Sequence, residues 1–254
     1  MVYKSEIQKI ANYILSWILN FIYRLWRKIN RESNPRKWSN DELKKTAHLF
    51  RGDVINISAG KDLDKEGMAY RKYFNNATSY LISNYKKEYN TEICYDEIEL
   101  DLSTPLLSNS DLICRFDVVF SHTVLEHVYD TKVAIRNLCK MSKDIIITIV
   151  PFLQSFHHDE MKDYHDYWRI SPYAIINLFN EHDFKTIYIT WNNDPIGNIY
   201  LFHIASKHPE RWNEIIRQND VRLLSYGPGY YRQLLLGTAK NCSNAKITKL
   251  NDLL

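Results

Sequence analysis

The side chains able to move a proton near neutral pH are histidines, since an imidazole titrates near 6.5. Three of them, His122, His127 and His157, stand beside or shortly after apolar runs. A second pattern is Ile57-Ser58-Ala59-Gly60-Lys61, whose small residues let backbone come close to a ligand. A third is Asp166-Tyr167-Trp168-Arg169, where an acid and a base three apart either reach a substrate or pair with each other. Metal chemistry has little support. His157-His158 and His165 lack cysteine or grouped carboxylate partners, and Cys94, Cys114, Cys139 and Cys242 form no C-x-x-C pair. Three of the cysteines sit among Ile, Leu and Tyr and read as small buried apolar residues in a reducing compartment.

These groups need a scaffold, and from residue 52 onward the sequence alternates strand and helix signals. Short apolar runs at 53–58, 79–83, 97–102, 116–120, 144–150 (stopped by Pro151), 186–190 and 198–205 predict seven strands. Helix-length segments at 70–75, 124–140 and 171–182 lie between them. Continuous apolar strands separated by helices predict a doubly wound, mostly parallel α/β sheet covered on both faces. Ligands bind such a sheet beyond the carboxyl ends of its strands, so the loops after the strands are the ones that carry function.

The order of segments within 52–206 strongly resembles the class I S-adenosylmethionine-dependent methyltransferases, a Rossmann-like fold. Phe116-Asp117-Val118-Val119-Phe120 runs into Val124-Leu125-Glu126-His127-Val128. Pro151-Phe152, His157 and Asp166-Tyr167-Trp168-Arg169-Ile170-Ser171-Pro172 follow. The likeness is to the branch with F-D-x-V, L-E-H-V, V-P-F, a His and D-Y-[YW]-R-x-[ST]-P. It implies S-adenosylmethionine as cofactor and transfer of a methyl group to oxygen or nitrogen of a small molecule, sugar or lipid-linked glycan intermediate. It implies cofactor contacts at Asn56, Ser58, Ala59 and Gly60 after the first strand. Asn84 would meet the ribose, and Asp101 or Asp96 the adenine. Ser121, His122 and Thr123 would lie under the methionine part. Asp166, Tyr167 and Arg169 fall on the acceptor side, with His157 the favoured base and His122 and His127 behind it.

The sequence departs from the family pattern at three cofactor positions. Asn56 and Asn84 stand where carboxylates are usual, and Ser58 stands where glycine is usual. An amide bonds a hydroxyl without charge assistance, which implies weaker cofactor binding, or a silent member of the fold that binds a partner. A nicotinamide oxidoreductase is disfavoured because no G-x-G-x-x-G follows the first strand. Glu126-His127 also reads as the start of a helix, with the acid complementing the dipole.

Outside 52–206 the chain changes character. Residues 1–51 carry 11 Lys or Arg against 4 acidic residues, and the rest 22 against 26, so the net charge of +3 is too small and too local to imply nucleic acid. Residues 3–30 repeat Ile7, Ile10, Ile14, Trp17, Ile18, Phe21, Ile22, Leu25 and Ile29 at three- and four-residue steps. Asn12, Ser16, Asn20, Arg24 and Lys28 form the opposing stripe. The uncharged stretch is short for a bilayer span, and no A-x-A-like cleavage site marks a signal peptide. The pattern predicts an amphipathic helix over 1–31 that lies on an anionic membrane face or packs on protein, its own domain or another subunit of a homo-oligomer. Residues 32–51 read as a connector with a short helix starting at Ser39-Asn40, and 207–254 as a helical extension with a helix around 211–219. Together these features predict a cytoplasmic protein, held at the inner membrane face where the helix docks.

Overall fold

The computed structural model describes residues 2–30, 34–85, 97–157, 165–192, 194 and 198–212, with the side chains of 2–5 and 27 excepted. Asp96, His158 and the predicted helix around 211–219, beyond its first two residues, lie outside these, as do Cys94 and Cys242.

Seven strands form one sheet: β1 (Gly52–Ile57), β2 (Ala77–Asn84), β3 (Glu97–Glu99), β4 (Phe116–His122), β5 (Ser142–Leu153), β6 (Lys185–Trp191) and β7 (Ile199–Ser206). Their order is β3-β2-β1-β4-β5-β7-β6. β1 pairs in parallel with β2 and β4, and β5 with β4, whereas β7 runs antiparallel to both β5 and β6. The order reverses between β1 and β4, and such a switch point leaves a crevice at the carboxyl edge.

The apolar runs that predicted the strands are buried on both faces. One core layer joins Ile55, Val119 and Ile146 to Ile135 and Leu138 of α3 (Thr131–Met141) and to Ile175 and Phe179 of α4 (Pro172–Asn180). The other joins Val118, Phe120 and Ile147 to Trp38 and Leu43 of α2 (Pro35–Thr46) and to Tyr70, Tyr73 and Phe74. Burying a side chain such as Leu138 contributes about 1.5–3 kcal/mol.

Local capping sets where helices begin. Asn34 Oδ1 accepts from Lys37 N at 3.3 Å, Asp130 Oδ1 from Val133 N at 3.1 Å, and Ser171 Oγ from Ala174 N at 3.2 Å. Pro35 and Pro172 occupy first-turn positions that need no N–H. Three expectations are corrected, the first two by these caps. The helix in the supposed connector begins at Pro35, so Ser39 and Asn40 are buried within it, and α2 packs against the sheet. The helix expected from 124 splits into a 3₁₀ turn at Leu125–His127 and α3, because Asp130 caps a new start. The segment 70–75 closes only a 3₁₀ turn, Tyr70–Tyr73.

The strand expected to stop at Pro151 runs on to Leu153. There β5 has outrun β4, whose last paired residue is His122 opposite Ile149, so the proline's missing N–H breaks no bond on that side. The third strand is shorter than expected, ending at Glu99. Of the cysteines, Cys139 is buried but Cys114 is exposed, in a left-handed turn at φ 47°.

Candidate active site

The loops after β1, β2, β3 and β4 close around one cavity of about 710 Å³ at the carboxyl edge, within the usual range for small-ligand sites. The β1 loop contributes Ser58, Ala59 and Gly60, the β2 end Asn84 and Tyr85, and the β3 loop Asp101. The β4 loop contributes His122, Thr123, His127 and Tyr129. His165 and Tyr167 close the far side, and Arg36 of α2 reaches in from the other face of the sheet.

Backbone conformation at the rim is unusual. Ser58 (φ 52°), Gly60 (φ 57°) and Thr123 (φ 53°) are all left-handed. Only glycine adopts this freely, so a Ser and a β-branched Thr there carry strain of about 1–2 kcal/mol each. A Cβ on Gly60 would meet nothing within 4 Å, so open space lies over the loop. The loop is held from behind. Gly60 N donates to Asn84 Oδ1 at 2.8 Å, and Asn84 Nδ2 donates to Gly60 O at 3.3 Å and to Glu97 Oε1 at 2.8 Å.

The histidines differ in what their ring nitrogens do. Arg36 can only donate, so His122 Nδ1, 3.1 Å from its Nη1, accepts. His122 Nε2 therefore carries the proton and donates to Ser39 Oγ at 2.9 Å. Burial, with Arg36 beside it, holds this imidazole well below its ordinary pKa. His127 Nδ1 lies 2.5 Å from His165 O, which fixes the proton on Nδ1 and the neutral ring's lone pair on Nε2. Burial lowers its pKa too, so it is neutral at pH 7. His157 stands behind His127, ring against ring at 5.2 Å and 85°, with Nδ1 2.9 Å from Asp166 Oδ2.

Glu126 is the most perturbed carboxyl of the cluster. Burial pushes it up to about 8, against the pull of its own backbone and of Arg36, so it is protonated at neutral pH. Its Oε1 lies 3.6 Å from His127 Nε2, and its carbonyl accepts from Tyr167 N at 2.7 Å and Trp168 N at 3.2 Å. The turn after β4 is thereby stitched to the 165–170 segment. Tyr129 packs edge-on to Tyr167 at 5.3 Å and near Trp168 at 6.3 Å, an aromatic wall that leaves Tyr129 and Tyr167 exposed beside the cavity.

No protein-family model and no curated protein sequence matches the chain. Solved structures do. The chain described as a methyltransferase in the complex with the Haloferax volcanii Trm112 methyltransferase activator is similar at a TM-score of 0.51 and 10% identity, over 76% of this chain and 96% of that one. The chain has the fold of the class I methyltransferases. Two further structures have lower scores. Burkholderia thailandensis 1,6-didemethyltoxoflavin-N1-methyltransferase, solved with 1,6-didemethyltoxoflavin and S-adenosylhomocysteine, gives 0.48 at 13% identity over 78% and 89% of the two chains. A Listeria monocytogenes protein described as an S-adenosylmethionine-dependent methyltransferase gives 0.49 at 11% over 66% and 96%.

Within this methyltransferase fold the expected residues separate into two groups. Asn56, Ser58, Ala59, Gly60, Asn84, Asp101, His122, Thr123, His127 and Tyr167 face the cavity; Ser121, His157, Asp166 and Arg169 do not. Ser121 is buried inside β4, opposite Ile57 and Thr148. Arg169 holds both oxygens of Asp166 at 2.6 Å and donates to Gln154 O and Ser155 O at 2.9 and 3.0 Å, so the pair ties the loop after β5 instead of reaching an acceptor. Burial raises the Asp166 carboxyl, but the Arg169 and His157 bonds outweigh it and hold the group below its ordinary range. His122 has both nitrogens engaged, which removes it as a base. Glu126 is protonated inside a 3₁₀ turn, so it does not complement a helix dipole.

The amide positions have local reasons. Asn56 Nδ2 donates to buried Asp62 Oδ1 at 2.8 Å, and Tyr80 Oη donates to the same oxygen at 2.8 Å. A carboxylate at 56 would face Asp62 directly. Asp101 is occupied by Ser103 at 2.7 and 2.8 Å and by Thr104 at 3.0 Å, bonds that outweigh burial and lower its pKa. Sequence reasoning missed Arg36, Tyr85, Tyr129 and His165. Arg36 gave no signal, because the segment around it reads as a connector.

Proposed function

We propose that this protein is an S-adenosylmethionine-dependent methyltransferase acting on an oxygen or nitrogen of a small molecule, a sugar or a lipid-linked glycan intermediate. The observation that carries this reading is a neutral His127, with its lone pair on Nε2, on the wall of a cavity that also holds Ser58–Gly60. The residues present fit the cofactor. Open space lies over Gly60, and Asn56, Asn84 and Asp101 ring the same end of the cavity. When bound, S-adenosylmethionine supplies an electrophilic methyl group.

The chain's own residues do the rest. His127 Nε2 takes the proton of an acceptor hydroxyl or amine, which raises its nucleophilicity. The His165 carbonyl keeps the ring in the required tautomer, and His157 limits its rotation from behind. Tyr129 and Tyr167 offer flat faces on which a ring-shaped acceptor lies, and Arg36 keeps the opposite wall positive. Positioning supplies much of the rate in such a transfer.

The test is calorimetry with S-adenosylhomocysteine, followed by transfer of labelled methyl from S-adenosylmethionine into extracted sugars and glycolipids. Saturable binding with label incorporation supports the reading. A second reading, a silent binding member of the fold, is favoured by Asn84, whose amide is committed to Gly60 and Glu97. Absence of binding up to millimolar ligand selects it.

A further inference from the structure

Helix α1 (Val2–Ile29) is joined to the sheet at its carboxyl edge. Tyr23 donates from its hydroxyl to Asp194 Oδ2 at 2.7 Å, and Asp194 is buried just past the end of β6. The rest of the helix carries large apolar side chains into the open: Ile10 is 60% exposed, Ile14 52%, Trp17 64%, Phe21 53% and Ile29 83%. At about 100° per residue these and their neighbours fill roughly 200° of the helix surface. Lys9, Asn12, Ser16, Asn20 and Arg24 occupy the remainder. Trp17 and Trp26 fall at the two borders between the arcs, the level at which an indole has one side apolar and the other wet. No helix among the described residues is long and apolar enough to cross a membrane.

Charge selects what covers the apolar arc. Residues 2–29 contain Lys4, Lys9, Arg24, Arg27 and Lys28, against Glu6 as the acid. A second copy of the helix, in either orientation, would set like charges side by side. The apolar arc is also wider than the seam two helices share. An anionic bilayer matches both the width and the sign.

We propose that α1 lies flat in the headgroup layer of an anionic membrane, apolar arc inward, and through Tyr23–Asp194 holds the carboxyl edge of the sheet, with its cavity, at the bilayer surface. The proposal is independent of methyl transfer. It is tested on the full chain by co-sedimentation with vesicles of phosphatidylcholine, with and without phosphatidylglycerol. Binding is at least ten-fold stronger to the anionic vesicles and falls as salt is raised, because exposed charges are screened. Arg24→Glu with Lys28→Glu removes most of that preference, at about five-fold per basic residue lost. Trp17→Ser with Phe21→Ser removes binding altogether. Thermal unfolding of both variants matches the parent, since the altered side chains are exposed. Equal binding to both vesicle types overturns the proposal, as does no binding to either. So does a dimer, seen by sedimentation velocity, that the Trp17 and Phe21 substitutions dissociate.

Discussion

The two edges of the sheet use the same residue types for opposite ends. At the amino edge two carboxylates, Asp117 and Asp144, are saturated by structure. Asp117 accepts from Asp53 N at 2.8 Å and from Lys143 Nζ at 3.2 Å. Asp144 accepts from Ser206 Oγ at 2.5 Å, His208 N at 3.1 Å and Trp212 Nε1 at 3.0 Å. The recess there is smaller, about 400 Å³. At the carboxyl edge lie the left-handed Ser58, Gly60 and Thr123, a protonated Glu126 and a neutral His127. Left-handed residues stand at the amino edge as well, at Cys114 and Asp183, so what sets the carboxyl edge apart is shifted protonation beside the larger open cavity. The FDxV Asp and the LEHV His sit only ten residues apart in sequence, yet one stitches the fold and the other faces the cavity.

The comparison is sharpest at the base. His127→Asn is expected to lower methyl transfer by about 10²–10⁴-fold while S-adenosylhomocysteine affinity stays within about two-fold, as for a lost general base. His157→Asn, one layer back, should cost ten-fold or less. Steady-state rates beside calorimetry decide it, and equal losses in both variants would return the role to His157.

Two glycines provide the next contrast. Gly52→Ala at the amino edge puts a Cβ 2.3 Å from Asp117 Oδ2 at a φ of 97°. Displacing that carboxylate from Asp53 N should cost roughly 2–4 kcal/mol in denaturant unfolding, with cofactor affinity kept in the folded fraction. Gly60→Val should cost only about 1–2 kcal/mol of stability, since nothing lies within 4 Å, yet abolish S-adenosylhomocysteine binding by filling the space over the loop. If Gly60→Val titrates like the parent, the cofactor end has been misplaced.

A pH series tests the carboxyl edge. Folding raises the Glu126 carboxyl from the ordinary range near 4.5 to about 8, so the native state holds this proton more tightly than the unfolded chain. The resulting stability is complete below about pH 4.5 and is lost as pH rises through about 8, at up to roughly 1.4 kcal/mol per unit. Glu126→Gln should flatten that slope in melts taken between pH 5 and 8. The smallest effect is expected from Ser58→Gly, which relieves a left-handed Ser. It should raise stability by up to about 1 kcal/mol and tighten S-adenosylhomocysteine binding.

Asn84→Asp tests what an amide does at a position where the family pattern has an acid. An aspartate would face Glu97 and lose the donor to Gly60 O, so the restored acid should weaken the loop and its ligand. Asn84 shows how a residue's place was legible from sequence while its partners were not. Apolar runs and helix signals fixed a seven-strand α/β sheet and put the loops that line the cavity after β1, β2 and β4, because burial on two faces demands continuous apolar strands. Ser58–Gly60 and His127 were visible for the same reason, as residues just past such runs. The three- and four-residue apolar steps likewise determined α1.

Only the tertiary structure decided which side chains are already committed. Asn56 meets Asp62 and Asp166 meets Arg169 within a few residues, but each could equally have faced a ligand until the loop around it closed. His122 is occupied by Arg36 and Ser39, 86 and 83 residues away. The capped helix α2 that brings them there looked like a connector, because its apolar residues are few and its value lies in packing on β7. A hydrogen bond is a statement about two positions in space. Sequence spacing fixes those positions within a turn of helix or a strand, and beyond that the packing of the whole sheet fixes them.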